Sequence, residues 1–189
     1  MPRLYLIRHA RPAAAWGDAD EDPGLDEVGR GQARAVAERL LALPADLRPR
    51  AVVSSPLQRC RQTAAPFAEA LGVQPAIDPA VGEIPTPRGL GAAARPAWLG
   101  KAMAGRWGEI DGDLDYAEWR AGVVAALMDH AGAAVFSHFV AINAVVSSLV
   151  GEDKVVVFRP DHVSVTTLDV EAGRLRLIER GAEAATRVV

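Results

Sequence analysis

Three short stretches of this chain hold side chains suited to handling a phosphate group: Arg8-His9, Ser54-Ser55-Pro56-Leu57-Gln58-Arg59 and Ser137-His138-Phe139. A phosphate dianion needs a donor on each non-bridging oxygen. The planar guanidinium forks of Arg8 and Arg59 supply them through charge-assisted bonds. A protonated His138 would add another donor, and the open amides of the helix that begins at Phe139 would add more. A neutral imidazole in this positive field, His9, is a competent nucleophile. It could take a phosphoryl group and divide one hard step into two easier ones. Glu83, in Val81-Gly82-Glu83-Ile84-Pro85, could protonate a leaving oxygen and then deprotonate the attacking water. Glu109 and Asp111 are rival acids.

These residues are far apart in sequence, so strands and helices must bring them together. Leu4 to Ile7 is an apolar run that reads as a buried first strand, and its end delivers Arg8 and His9. Asp26 caps a helix whose stripe of Ala33, Val36, Ala37 and Leu40 runs on until Pro44. Ala51 to Ser54 is the second strand. Ser55 as N-cap, Pro56 at the first helical position and Gln58 as the capping-box partner open the next helix. Its stripe is Leu57, Cys60, Ala64, Phe67 and Leu71, and Gly72 closes it. Asp115 and Glu118 start another helix, carrying Trp119, Val123 and Leu127 to about His130. Ala133 to Ser137 is a strand, and Phe139 to Val150 a helix ended by Gly151. Val163 to Leu168 and Leu175 to Ile178 flank Gly173 as a closing hairpin.

Such alternation predicts an α/β three-layer sandwich: a mostly parallel central sheet with an antiparallel edge, and helices on both faces. Ligands of such sheets bind beyond the carboxyl ends of the parallel strands, where all three stretches fall. Residues 1–189 read as one domain. From about 84 to 114 no period is visible, and this segment is expected to be a cap-like insertion.

Composition narrows the partners. Of 189 residues, 50% are apolar, and the formal charge of −3 offers no general attraction to nucleic acid or to an anionic membrane. Cys60 is the only cysteine, which rules out an intramolecular disulfide and a cysteine-based metal cluster. No metal or cofactor is expected. The apolar run near the N-terminus is too short for a signal segment, and polar residues interrupt Val135–Val150, so a cytoplasmic location is expected. The expected partner is a small phosphorylated substrate, with a homodimer as one expectation for assembly.

Leu6-Ile7-Arg8-His9-Ala10 resembles the Arg-His-Gly signature of the histidine phosphatase (phosphoglycerate mutase-like) superfamily. Ser54 to Ala64 is similar to that family's second-strand motif, whose arginine falls on Arg59. Ser137-His138-Phe139-Val140-Ala141-Ile142-Asn143 resembles its second-histidine motif. The resemblance implies the phosphoglycerate mutase-like fold, His9 as phosphoryl acceptor, and Arg8, Arg59 and His138 as the phosphate pocket. It also implies Glu83 as proton donor, and chemistry without a metal. The chain departs from the mutase branch at Arg11-Pro12-Ala13-Ala14-Ala15-Trp16, which replaces polar groups expected to hold a phosphoglycerate. Phe139-Val140 and Asn143 stand where glycines and an arginine are usual. Hydrolysis of a phosphomonoester is the expected activity. A phosphomutase and a catalytically silent phospholigand-binding domain are the alternatives.

Beyond the motifs, Phe139, Arg11 and Trp16 are expected to line the substrate mouth. Arg88, Arg95, Lys101 and Arg106 suit either an anionic leaving group or a solvated surface. His162 is expected at the pocket rim or in a structural role, and His130 at a helix end without a function. Trp98, Trp107, Trp119 and Cys60 read as packing residues.

Overall fold

In the computed structural model, which describes residues 3–14, 22–171 and 173–184, six strands form one sheet in the order β3-β2-β4-β1-β5-β6. The strands are β1 (Arg3–Arg8), β2 (Ala51–Ser54), β3 (Ala76–Ile77), β4 (Ala133–Ser137), β5 (Val165–Glu171) and β6 (Arg174–Glu179). β1, β2, β3 and β4 run parallel, while β5 pairs antiparallel with both β1 and β6. The sandwich with an antiparallel edge is therefore the observed architecture. The two-residue edge strand β3 was not expected, and nothing in its composition announces it.

Period-2 alternation sorts the strand side chains into two apolar layers. Tyr5, Ile7, Ala134 and Phe136 face the helices α1 (Glu27–Leu41) and α2 (Gln58–Leu71), meeting Val36, Leu40, Ala64 and Phe67. Leu4, Leu6, Ala133 and Val135 face the opposite layer, α4 (Tyr116–Met128) and α5 (Phe139–Leu149), through Val123, Leu127, Ile142 and Val145. Burying a side chain such as Ile7 or Phe136 contributes about 1.5–3 kcal/mol relative to leaving it in water. β4 is buried along its whole length because helices cover both of its faces.

Helix starts follow the capping chemistry at two of the three expected places. Asp26 accepts from the Gly29 amide, and Asp115 accepts from the amides of Ala117 and Glu118. The expected capping box at Ser55 is not formed. α2 begins at Gln58 with Leu57 at its cap position, and the Asp22 carboxylate takes the Gln58 amide at 2.8 Å. The Ser55 hydroxyl is instead drawn towards His138. Gly72 ends α2 in the left-handed conformation at φ 67°, as its type suggests. Gly29 is required for another reason: a Cβ there would lie 2.1 Å from the Arg11 carbonyl oxygen, so the close approach of α1 to the loop after β1 depends on it.

The aperiodic stretch at about 84–114 contains α3 (Arg95–Ala104) and 3₁₀ turns at Ala92–Ala94 and Trp107–Glu109. It packs through Ile84, Leu99 and Trp107 onto Tyr116 and onto Phe139, Val140 and Ala144 of α5. Trp107 also donates to Ser147 Oγ at 3.0 Å, and its ring stacks against Trp119. Among the described residues, no helix is long and apolar enough to cross a membrane.

Candidate active site

The carboxyl ends of β1, β2 and β4 bring the three stretches to one place. The His9 and His138 ring centroids are 5.3 Å apart. His9, His138, Arg8 and Arg59 are all buried, none more than 6% exposed. β1 carries Arg8 and His9 to the sheet end, where the His9 amide donates to the Ser137 carbonyl next to His138. Arg59 lies in the first turn of α2, and its guanidinium is 3.9 Å from the Asp22 carboxylate. Arg8 donates to the Pro160 carbonyl at 2.9 Å, and its guanidinium lies over the Phe139 ring at 5.2 Å. Phe139 is thus a buried platform for the Arg8 cation. α5 starts without a capping side chain, so its first amides are open to an anion.

Hydrogen bonding decides the state of His9. Its Nδ1 lies 2.8 Å from the Ala10 carbonyl oxygen, which can only accept, so Nδ1 carries the proton and Nε2 keeps its lone pair. Burial, followed by the charges of Arg8 and Arg59, holds the His9 pKa well below the ordinary 6.5. The ring is neutral at neutral pH, the form a nucleophile needs. Burial also depresses His138, with His9 and then Arg59 and Arg8 adding to the effect. Burial and these neighbouring groups thus work against the protonated form of His138.

The Glu83 side chain is buried at this cluster, with Oε2 3.7 Å from His138 Nδ1. Burial raises its pKa above the ordinary 4.5, against the opposing pull of the Ile84 amide and of Arg59, Arg95 and Arg8. Oε2 itself has no hydrogen-bond partner among the described residues. A buried carboxyl inclined to keep its proton is suited to act as an acid. The rival acids are elsewhere: Glu109 is exposed, and Asp111 pairs with Lys101 at the surface. The turn Pro79–Val81 before Glu83 is held by Asp78, which accepts from Ala80 and from His130 Nε2 at 2.8 and 2.7 Å. His130 sits at the end of α4, just past its C-cap Asp129, with its amide donating to the Leu127 carbonyl, and its ring braces this turn.

Several supporting residues carried no obvious signal. Thr63 Oγ1 accepts from the Ala10 amide at 3.0 Å and donates to the Arg59 carbonyl at 2.6 Å, tying the His9 loop to α2. Ser55 Oγ is 2.8 Å and Cys60 Sγ 3.3 Å from His138 Nε2. Cys60 is thus a buried wall of the site as well as a packing residue, and burial pushes its thiol pKa far up, so it stays a thiol. Asn143 Oδ1 accepts from the amides of Val157 and Phe158, linking α5 to the chain that leads to Pro160. The charge of Arg95, at the start of α3, reaches both Glu83 and His138.

Not every expected residue joins the cluster. Arg11 turns to Asp26, donating from Nε at 2.6 Å, and is half exposed. Trp16 lies outside the described residues. Lys101 and Arg106 pair with Asp111 and Asp153, and Arg88 with Asp113. Among the described residues, no group of three or more His, Cys, Asp or Glu could hold a metal ion.

Buried neutral imidazoles tie stability to pH. As pH falls through 6.5, the unfolded chain binds protons that folded His9 and His138 refuse. The unfolded state then holds more protons, so stability rises with pH in this range and is lost on acidification. Glu83, shifted upward, acts in the opposite sense, but it is one group against three, since burial lowers the pKa of His162 as well. Expected is a Tm that falls steadily from about pH 6.5 to about pH 5, with a shallower slope in His9→Ala. Equal slopes in the two proteins would contradict the neutral buried state of His9.

The sequence profile of the histidine phosphatase superfamily (branch 1) matches residues 4–182. No curated protein sequence matches the chain significantly. Among solved structures, a mycobacterial glucosyl-3-phosphoglycerate phosphatase is 24% identical, with a TM-score of 0.69, over 97% of this chain and 100% of that one. A phosphoserine phosphatase from Entamoeba histolytica is 21% identical, with a TM-score of 0.74, over 96% of this chain and 98% of that one. At these identities the two structures speak for the fold.

Proposed function

Because this chain belongs to branch 1 of the histidine phosphatase superfamily, we propose that it hydrolyses phosphomonoesters through a phosphohistidine on His9. The observation that carries the proposal is the buried meeting of two imidazoles and two guanidiniums, with the His9 and His138 rings 5.3 Å apart.

In the first step the Nε2 lone pair of His9 attacks phosphorus and forms the N–P bond. The ester P–O bond breaks, and its electron pair goes to the leaving oxygen, which takes the proton of Glu83 and departs as an alcohol. In the second step the Glu83 carboxylate removes a proton from water as the water oxygen attacks phosphorus. The N–P bond breaks, its electrons return to Nε2, and inorganic phosphate leaves with Glu83 protonated again. Arg8 and Arg59 hold the non-bridging oxygens throughout, and His138 joins them once the dianion raises its proton affinity. Preorganised cations of this kind usually supply the largest share of the rate, since they need no reorganisation as the transition state forms. A cytoplasmic location fits a chain whose one cysteine is a buried free thiol.

The test is phosphate release from 4-nitrophenyl phosphate in the presence of a metal chelator. Steady turnover that the chelator does not change is expected. Tight binding of phosphate esters with no release would overturn the proposal in favour of a silent binding domain.

A further inference from the structure

His9 has a second imidazole neighbour that none of the three motifs contains. The ring centroid of His162 lies 5.7 Å from that of His9, nearly as close as His138. No strand end delivers it. It sits in the connection Asp161–Ser164 ahead of β5, and Val163 beside it has φ 52°, the one positive φ at a non-glycine residue among the described residues. A β-branched residue adopts that conformation only under constraint. Here the constraint is visible: the Val163 amide donates to the Arg8 carbonyl at 3.1 Å, Arg8 donates back to Ser164 at 3.2 Å, and the His162 amide donates to Asp161 Oδ1 at 2.7 Å. The turn is bonded to the strand that carries His9 and holds the His162 ring beside that residue.

Proton inventory then defines what the ring offers. Nδ1 lies 3.0 Å from the His9 carbonyl oxygen, which can only accept, so Nδ1 bears the hydrogen. Burial, with Arg8 adding to it, lowers the pKa of the ring from 6.5 and keeps it neutral near neutral pH. Nε2 is left with a bare lone pair and has no hydrogen-bond partner among the described residues. An acceptor-only edge repels phosphate oxygens and calls for a donor. Arg8, the largest charge felt by this ring, outweighs the Asp161 carboxylate, and with Arg11 it disfavours an ammonium there and leaves a hydroxyl as the matching group.

We infer that His162 is a specificity-determining residue whose Nε2 accepts a hydrogen bond from a hydroxyl on the leaving group, next to the ester. The substrates it selects are phosphate esters of polyols, sugars or hydroxy acids, in preference to simple alkyl phosphates. This rests on the phosphomonoesterase reading above.

Glycerol 1-phosphate and propyl phosphate share a chain length and differ in hydroxyls, so their inhibition constants against 4-nitrophenyl phosphate hydrolysis isolate this contact. In the wild type, glycerol 1-phosphate should inhibit about tenfold more strongly, the size of one added hydrogen bond. His162→Phe should bring the ratio to about one, and His162→Gln, which retains an acceptor, should restore most of it. If His162→Phe does not melt cooperatively, His162→Ala serves for the same comparison. If a variant turns over no aryl phosphate, calorimetric titration with the two ligands gives the ratio. A wild type without preference, or a ratio that survives the loss of the imidazole, overturns the inference. The second result, with both ligands weakened alike, would mean that the ring only positions His9. Wild-type protein that hydrolyses no aryl phosphate would sink the phosphomonoesterase reading, and this inference with it.

Discussion

His9→Ala should lower phosphatase turnover by at least about 10⁴-fold, the scale on which a covalent nucleophile is missed when it is removed alone. Without the imidazole, water must attack the ester directly, in a pocket arranged to hold phosphorus against His9 Nε2. The substrate should still bind, since Arg8, Arg59 and the start of α5 remain. KM should therefore change far less than kcat. The variant should also stay folded. It loses a buried ring whose solvation is poor and which stands among cations, so its Tm at neutral pH should not fall by more than a few degrees. Activity that survives undiminished would remove His9 from the nucleophile's role.

Glu83→Gln should have the next largest effect, and its size should depend on the leaving group. For an alkyl phosphate, kcat/KM should fall by about 10²–10⁴-fold, because the departing alkoxide needs a proton that an amide does not supply. For 4-nitrophenyl phosphate, whose leaving group is a stable anion, the loss in kcat/KM should be about tenfold or less. The second step suffers with every substrate, since Gln does not activate water. Nitrophenyl phosphate should then give a burst of nitrophenol followed by slow turnover. The same substitution removes a buried carboxyl whose ionisation costs solvation energy, so the variant should melt at or above the wild-type temperature. Equal losses in kcat/KM across leaving groups would reject the acid role.

The elements that deliver the chemistry were the most legible ones, because they combine several local signals. β1 and β4 have apolar runs that end abruptly in Arg8-His9 and His138, and Asp26 and Asp115 cap α1 and α4 by the expected side-chain bonds. The segment holding α3 escaped prediction because its apolar residues serve α5 and one another at irregular spacing, with Leu99 and Trp107 filling a local cluster. β3 is two residues long and lies at an exposed edge, where pairing alone defines it. Ser55 misled for a physical reason. Its type and position suit a helix cap, but a buried histidine competes for the same hydroxyl, and an acidic side chain, Asp22, takes the capping bond on Gln58.

The candidate site divides in the same way. Residues with one chemical task, such as the paired cations and imidazoles, can be singled out by type. Residues that act by holding others cannot. Thr63 and Asn143 look like ordinary helix residues until their long-range partners are known. His162 gives a lone, ambiguous signal in the sequence. Its meaning comes from the strained Val163 and from the His9 carbonyl, a contact between residues 153 positions apart.

The most direct measurement of the central chemistry is to quench turnover of 4-nitrophenyl phosphate in alkali, where a phosphorus–nitrogen bond to imidazole survives, and to map the phosphoryl group by mass spectrometry. One phosphoryl group on His9 is expected, accumulating in Glu83→Gln and absent from His9→Ala. A phosphoryl group on any other side chain, or none in Glu83→Gln while nitrophenol is released in a burst, would contradict it.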